Sequence, residues 1–566
     1  MTTRLRRLAA LLLALTLTLS ATAFAAEDQR TAQRREDLDV LYSTLTEKHP
    51  DLFHRTPESA FLQKKAEIEA GLPEMDDLTF AFALQSLVSL AGDSHTTLSL
   101  SLSETHLYPV ALSQLAEGWV LTALPASEKA CIGWTVERVN GMSMTTVEER
   151  LADVYSYDNM VRLRRQVQQG FAAAELLRYV GITEDMGPLA IEAAGPGGER
   201  RTITLPLLPE EQEQWPEMAR LTPQGTPATA FQRRAYFSLD LGDAYYIQYN
   251  TCQEDPELPM EQFAAQVERD LGAKRYGKVL IDLRNNGGGS DGVLVPILML
   301  LAPKIRAGET EVWGLVGEST FSSALINAAE IRELGGFLAG TPTGGSVDHF
   351  GSVSTFTLPN SGIRGQYSNK YLELGGLLES AAGIGVAPLQ PDLYLPETTA
   401  DRLAGRDTVV EAVLAQKVPY IPEIEGKRPL SRGRFVGMLR EALGAGAESW
   451  DSGFEDLFPL SWFVPDVVWA EENGVVSGTG AGSFAPLRTI TCQEAAVLVE
   501  RALAAAGRTL PAVQEGPAPE GATAYAAEAV AAAFRQGLLP EGVSPQAELC
   551  RADGEAILAR LSDTLK

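Results

Sequence analysis

The sequence predicts a multidomain α+β chain: an α/β core with a parallel or mixed sheet, preceded by a helical segment and a small β-rich module and followed by a helical repeat array. Three observations predict it. From about residue 230 continuous apolar strands alternate with helical patterns, as in a sheet covered on both faces. Between about residues 105 and 210 short strands gather around glycine turns. Beyond about residue 425 one pattern recurs three times. The 566 residues are also too many for one core.

Taken in order, "MTTRLRRLAALLLALTLTLSATAFAAEDQ" has a basic start, an apolar stretch from Leu8 to about Leu19 and a small-residue site at Ala23-Phe24-Ala25. Residues 1–25 therefore read as a secretory signal peptide. An uncleaved anchor is the alternative, but the apolar run is short for the roughly 20 residues of a membrane span. In residues 27–104, Leu38, Leu41 and Leu45 recur at helical spacing behind Asp37, with further helical pattern from Phe61 to Leu72 and from Leu78 to Leu90. This segment ends in "AGDSHTTL", which holds His95, one of only five histidines.

Residues 105–210 carry the strands "GWVLTAL" and "GWTVERVNGMSM", the latter folded at Asn140-Gly141, then the helix "TTVEERLADV". "PLAIEA" and "RRTITLPL" flank a turn at Gly195-Pro196-Gly197-Gly198. Residues 225–420 hold the core. "GKVLIDLR" is a buried strand ending in Asn285-Asn286-Gly287-Gly288-Gly289, "EVWGLVG" is a second strand, and "FSSALINAAEIREL" is a helix stopped by Gly335-Gly336. Residues 425–566 contain the copies "LSRGRFVGMLREAL", "ITCQEAAVLVERAL" and "LCRADGEAILARL", and "WAEENGVVSG" is echoed by "AFRQGLLPEG".

Composition narrows the function. Lysine plus arginine against aspartate plus glutamate is 47 − 74 = −27, which repels phosphate backbones, so nucleic acid is not an expected partner. Four scattered cysteines without a CxxC pair, and histidines without HExxH, predict neither a disulfide scaffold nor a metal site, although export permits an isolated disulfide. The glycine run lacks the spacing of phosphate loops, so no nucleotide cofactor is expected.

Two stretches carry chemistry. In "GESTFSSALINAAEI" a strand gives way to a helix near Ser322, where unpaired backbone N–H groups converge and an oxyanion would be stabilised. Read alone, Ser319, Thr320 and Ser322 serve equally as helix caps. The glycine run of "IDLRNNGGGSDG" lies at the carboxyl end of a central strand, where α/β proteins gather ligands, and lets backbone approach a substrate carbonyl.

In combination, "DLRNNGGG", "TFSSA" and "GTPTGG" resemble the carboxy-terminal processing (tail-specific) serine peptidases. "GDSHTTL" and "EKHPDLF" resemble the histidine segment and preceding helix of the tricorn-like branch. The likeness runs from about Asp37 to about Gln416. It implies Ser322 as nucleophile and His95 as general base, with Ser94 orienting the histidine. It also implies backbone N–H groups of Gly288 and Ser323 as the oxyanion hole, and Glu379, with Glu373 behind it, as the orienting acid. Where bacterial tail-specific enzymes carry a lysine, this chain reads "GTPTGGSVDHFG", which favours the Ser-His version. The glutamate segment, "LLESAAGIGVAPLQPDLYL", carries extra residues. His349 is the reserve base, and His49, His54 and His106 read as surface or packing residues. A histidine base predicts activity falling as pH drops through roughly 6 to 7.

The 105–210 module sits where those relatives carry a PDZ-like domain, which implies peptide capture or a structural lid. The repeats resemble S-layer homology units through "FEDL", "WFVPDVVWAEENGVVSG", "GAGSFAPLRTITCQE" and "LCRADGE". That resemblance implies contacts from Arg432 and Arg551 to anionic cell-wall polysaccharide, with Cys492 at the matching position of the middle copy. A helical spacer is the plainer alternative. The resulting expectation is an exported serine endopeptidase, cell-wall associated, acting on peptides or proteins without cofactor or metal. The rivals are an inactive peptidase-like binding protein and an esterase, the latter disfavoured by the absence of GxSxG around Ser322.

Overall fold

The computed structural model describes residues 28–564 except 101–104, 210, 222–225, 230–232, 416–429, 447–448, 450–451, 458–462, 481, 511–519 and 541. The expected signal peptide, residues 1–25, and the boundary between core and repeats near residues 420–425 lie outside the described residues. Among the described residues no helix is long and apolar enough to cross a membrane.

Helices α1 (residues 28–48), α2 (Glu58–Gly71) and α3 (Asp77–Ser89) bury Leu38, Leu41, Leu45, Phe61, Leu84 and Leu87 in one cluster. The helical leucine spacing of the sequence is therefore the inward stripe of α1. The chain leaves α3, turns at Gly92, whose φ of 62° suits glycine, and enters the two-residue strand β1 (Thr97–Leu98).

The next module is a twisted sheet of β2 (Ala111–Leu115), β3 (Gly118–Pro125), β4 (Thr135–Val139), β5 (Met142–Ser143), β6 (Leu189–Ala194), β7 (Arg200–Leu205) and β8 (Met218–Arg220). Asn140 and Gly141 both have positive φ, 46° and 76°, so the β4–β5 turn is the tight hairpin the sequence predicts. Helices α4 (Met144–Leu151), α5 (Met160–Gly170) and α6 (Ala174–Tyr179) pack with it around Leu121, Val139, Leu163 and Ile191.

The core is a six-stranded mixed sheet. Its strands are β9 (Tyr236–Asp240), β10 (Ala244–Tyr249), β11 (Lys278–Asp282), β12 (Glu311–Val316), β13 (Phe337–Gly340) and β16 (Leu393–Tyr394), in the order β16-β13-β12-β11-β10-β9. All neighbours are parallel except the edge pair β9–β10. Helices α7 (Met260–Ala273), α8 (Val295–Arg306) and α9 (Ser323–Glu333) cover one face. Helix α11 (Thr408–Ala415), which follows α10 (Thr399–Ala404), covers the other through Val409, Val410 and Val413. Burial on both faces is why the strands read as unbroken apolar runs.

A long hairpin of β14 (Asp348–Thr357) and β15 (Arg364–Glu373) stands beside this sheet and was not legible as strands in the sequence. β15 pairs with β1, Thr97 opposite Gln366, and so joins the N-terminal helical segment to the core. The buried Asp37 of α1 accepts the backbone N–H groups of Asn360 (2.9 Å) and Ser361 (2.7 Å) at the hairpin tip.

In the tail, α12 (Arg432–Ala442), α14 (Cys492–Ala505) and α16 (Arg551–Thr564) are the three sequence copies. α13 (Val464–Glu472) and α15 (Ala527–Arg535) are the intervening helices, each closed by a left-handed glycine, Gly474 and Gly537. Two residues before each of these three helices the backbone closes a ring: Leu430 N–H donates to Leu549 O, Ile490 N–H to Leu430 O, and Leu549 N–H to Ile490 O, at 2.9, 2.9 and 3.0 Å. Phe435, Leu503 and Leu561 share the core inside it. A single copy cannot bury its apolar face alone, and three that close on one another do.

Candidate active site

β12 delivers the chain to a turn pinned to the core by hydrogen bonds of Thr320 and Phe321. Thr320 Oγ1 donates to Leu283 O (2.9 Å) and accepts Gly317 N–H (3.0 Å), while Phe321 N–H donates to Asn286 O (3.1 Å). This forces Ser322 into φ 55°, ψ −130°, a region costly for a residue with a Cβ, by about 1–3 kcal/mol. Ser322 is the N-cap residue of α9, yet its side chain makes no capping hydrogen bond. The capping alternative of the sequence therefore does not describe this hydroxyl. Thr320 is the residue that spends its hydroxyl on structure.

The glycine run lies against it. A Cβ on Gly288, at φ 104°, would meet Ser322 Cβ at 2.8 Å and Phe321 O at 2.9 Å, so the missing side chain is what leaves Ser322 room. Ser323, the first residue of α9, has an N–H that the helix itself cannot pair, and its Oγ donates to Gly289 O (2.9 Å). Gly288 N–H, by contrast, donates to Asn286 Oδ1 (2.9 Å), so the group expected as an oxyanion donor has a partner.

His95 follows the Gly92-Asp93 turn and is carried to this turn by β1. Its ring stacks on Phe321, centroids 4.5 Å apart, and on His349 at 5.3 Å. Gln366 Nε2 donates to His95 O (2.8 Å), which fixes the segment to β15. Among the described residues neither imidazole nitrogen has a hydrogen-bond partner, and His95 and Ser322 are adjacent through Phe321 without being hydrogen-bonded. Burial above all, then the His349 and Arg162 charges, outweigh Asp93 and pull His95 down to about 4. The imidazole is thus neutral well below the pH 6 to 7 expected from sequence, which corrects that expectation. His349 is equally buried, with Nδ1 3.2 Å from Val347 O.

Asp93, read from sequence only as part of a turn, is the hub of this region. Its buried Oδ2 accepts Thr96 Oγ1 (2.5 Å), Ser368 Oγ (2.7 Å) and His49 Nε2 (3.2 Å). Its Oδ1 accepts His95 N–H (2.8 Å) and lies 4.0 Å from His95 Nδ1. Burial opposes the charge, but the His49 hydrogen bond, the His95 charge and the two hydroxyls outweigh it and hold the carboxyl below its ordinary value. His49 and His54, expected to be ordinary residues, both pack on Phe350, so four of the five histidines gather here.

The other expected site residues fall elsewhere. Ser94, in the turn before β1, spends its hydroxyl on Asp158: Oγ donates to Asp158 Oδ1 (2.7 Å) and accepts Asp158 N–H (3.0 Å). Glu379 pairs with Arg434 of the tail (3.0 Å). The next residue, Ser380, bonds Glu333 and Ala329 O at the far end of the 11-residue α9, roughly 16 Å from Ser322 at 1.5 Å per residue. Glu373 is exposed at the end of β15. The structure brings neither glutamate to His95.

Helix α5 of the β-rich module closes over the Ser322 turn, another feature the sequence did not reveal. Arg162 lies over the Phe321 ring, 4.0 Å from its centroid, and Asn159 Nδ2 donates to Gly344 O (3.0 Å) and Ser346 Oγ (2.9 Å). Arg165 and Gln168 reach Glu318 at 3.6 and 2.5 Å. A cavity of about 530 Å³ opens between α5 and the carboxyl ends of β12 and β13.

In the tail, Arg432 is buried. Its Nε donates to Phe484 O (3.2 Å), and its guanidinium lies 3.4 Å from Glu494 and 5.0 Å from the Phe484 ring centroid. Arg551 is more open and pairs with Glu555 (3.3 Å), while Cys492 is buried. All four cysteines are free, so the permitted disulfide is not formed. Among the described residues no cluster of His, Cys, Asp and Glu is arranged to hold a metal ion.

Residues 453–496, inside the ring of repeats, match the S-layer homology domain model. Among solved structures, the chain is similar to mature CPAF complexed with lactacystin, with TM-score 0.47 and 14% identity over 67% of this chain and 96% of that one. It is also similar to the photosystem II D1 C-terminal processing protease, TM-score 0.31 and 14% identity over 64% and 93%. The tricorn protease gives TM-score 0.32 and 14% identity over 68% of this chain and 36% of that chain. No curated protein matches the chain.

Proposed function

We propose that this chain is an exported serine endopeptidase with Ser322 as nucleophile and His95 as general base. The observation that carries the reading is the Ser322 hydroxyl: held at positive φ at the start of α9 and unused as a cap, one residue from the ring on which His95 stacks. A side-chain reorientation brings an imidazole nitrogen to Oγ, takes its proton, and Oγ attacks the scissile carbonyl. The oxyanion is received by Ser323 N–H and by Gly288 N–H once Asn286 Oδ1 releases it. The imidazolium then protonates the leaving amine, and water, deprotonated by the same histidine, hydrolyses the ester and restores Ser322. Asp93, rather than Glu379 or the Ser94 hydroxyl, is the group that orients the base, because its charge lies 4.0 Å from Nδ1.

The 105–210 module is a PDZ-like unit whose α5 couples substrate presentation to the Ser322 turn. The S-layer homology match and the closed ring support attachment to cell-wall polysaccharide, with Arg551 the more open contact. Binding of the full chain to purified cell walls, lost on removal of residues 425–566, tests this; equal binding by the shortened chain reduces the tail to a spacer.

The absence of a His95–Ser322 hydrogen bond among the described residues favours a second reading, a peptidase-like binding protein without activity. A fluorophosphonate probe separates the two. Labelling of the wild type, abolished in Ser322→Ala and in His95→Ala, supports the peptidase. No labelling of folded wild type supports the binding protein.

A further inference from the structure

Helix α5 carries Arg162, Arg164 and Arg165 in succession, and their surroundings differ. Arg164 pairs with Glu148 (3.1 Å) and Arg165 with Glu318 (3.6 Å). Arg162 instead lies over the Phe321 ring, one residue before Ser322, with Nε shut off from solvent and without a hydrogen-bond partner. The acid acting on it, Asp158, is already taken by Ser94 Oγ and Asn159 Nδ2 (3.0 Å). Burial lowers Arg162 to about 10, so the pocket as it stands disfavours the guanidinium charge. A half-buried guanidinium whose Nε is shut off without a partner is costly until an anion completes it, and its planar fork fits a carboxylate best. The cavity at Ser319, three residues before Ser322, is lined by Val161, Arg164, Arg165 and Gln168 of the same helix rather than by Arg162, so an extended chain lying in it runs beside Arg162.

Resting on the peptidase reading of this site, we infer that Arg162 is a specificity determinant that receives the side-chain carboxylate of a glutamate or aspartate next to the scissile bond. Phe321 lies against the guanidinium, and the substrate supplies its missing partner: an acidic residue that enters with the peptide. The chain is then selective for acidic peptides despite its own net charge of −27, because the local partner and not the overall field decides.

The test uses the full mature chain and quenched-fluorescence peptides that carry Glu, Asp, Gln or Asn at each position flanking the cleaved bond, with free or amidated C-termini. Acidic peptides are expected to be cleaved with kcat/KM about tenfold above their amide isosteres whatever the C-terminus. In Arg162→Gln that ratio falls to near one, Arg162→Lys restores part of it, and Arg200→Gln, a remote surface change, leaves it intact. Anisotropy of the same peptides on Ser322→Ala measures the selection without turnover. Arg162-dependent binding of acidic peptides there, with no cleavage by wild type, sinks the peptidase reading and leaves the acidic subsite standing. Cleavage without acidic preference, or preference that follows only the free C-terminus, overturns the inference. Thermal melts of Arg162→Gln and Arg162→Lys identify a folding defect, and a folded Arg162→Lys then decides.

Discussion

Asp93→Asn is the sharpest probe of the catalytic assignment. The carboxylate lies 4.0 Å from His95 Nδ1, within a shell of four donors. At an effective dielectric of about 20, a unit charge at that distance stabilises the imidazolium of the transition state by about 332/(20 × 4.0), or about 4 kcal/mol. Asparagine keeps the shape and removes the charge, so kcat is expected to fall about 10³-fold. It also puts an amide where donors converge, so some stability is lost as well. Steady-state hydrolysis of a quenched peptide well below the melting temperature separates the two effects. Glu379→Gln, at the far end of α9, is expected to change kcat less than twofold. Folded Asp93→Asn within threefold of wild type, or a large loss in Glu379→Gln, would refute the assignment of the orienting carboxylate to Asp93.

Four more outcomes follow from the same geometry. Because His95 is pulled down to about 4, kcat/KM should stay level from pH 7 to about pH 5 and fall only near pH 4; an acid limb between 6 and 7 in a pH–rate profile contradicts this. The same shift costs stability in acid: below about pH 6.5 the unfolded chain takes up a proton that the fold refuses until about pH 4, a loss of up to about 3 kcal/mol readable by denaturant titration. Gly288→Ala places a Cβ 2.8 Å from Ser322 Cβ at φ 104°, and should abolish fluorophosphonate labelling while the tail still melts as in wild type; full labelling would show the contact is not required. Glu330, pushed up to about 8 by burial, keeps its proton in the fold, so wild-type stability should fall by roughly 1.4 kcal/mol per pH unit between its unfolded value and 8, and Glu330→Gln should flatten that slope; an unchanged slope rejects the buried acid as its source.

What the sequence revealed and what it hid divide along contact range. The α/β core, the Asn140-Gly141 hairpin, the three tail copies and the Ser322 helix start are local patterns, carried by periodicity and turn chemistry within a dozen residues. The β14–β15 hairpin hid because its exposed strands mix polar and apolar residues, yet it is the piece that clamps β1 and so carries His95 to the core. Asp93 hid because "GD" is a common turn pair; its role appears only when Ser368, 275 positions later, and His49, 44 positions earlier, converge on it. Arg162 hid in "RLRR", which reads as a solvated helix face until Phe321 is laid against it. A candidate nucleophile can be marked from its own turn, because a helix start is local. The groups that tune it come from α1, α5 and β15, and no periodicity links them. Changing Ser368 to alanine should therefore disturb the base through Asp93 from a strand that sequence alone gave no reason to suspect.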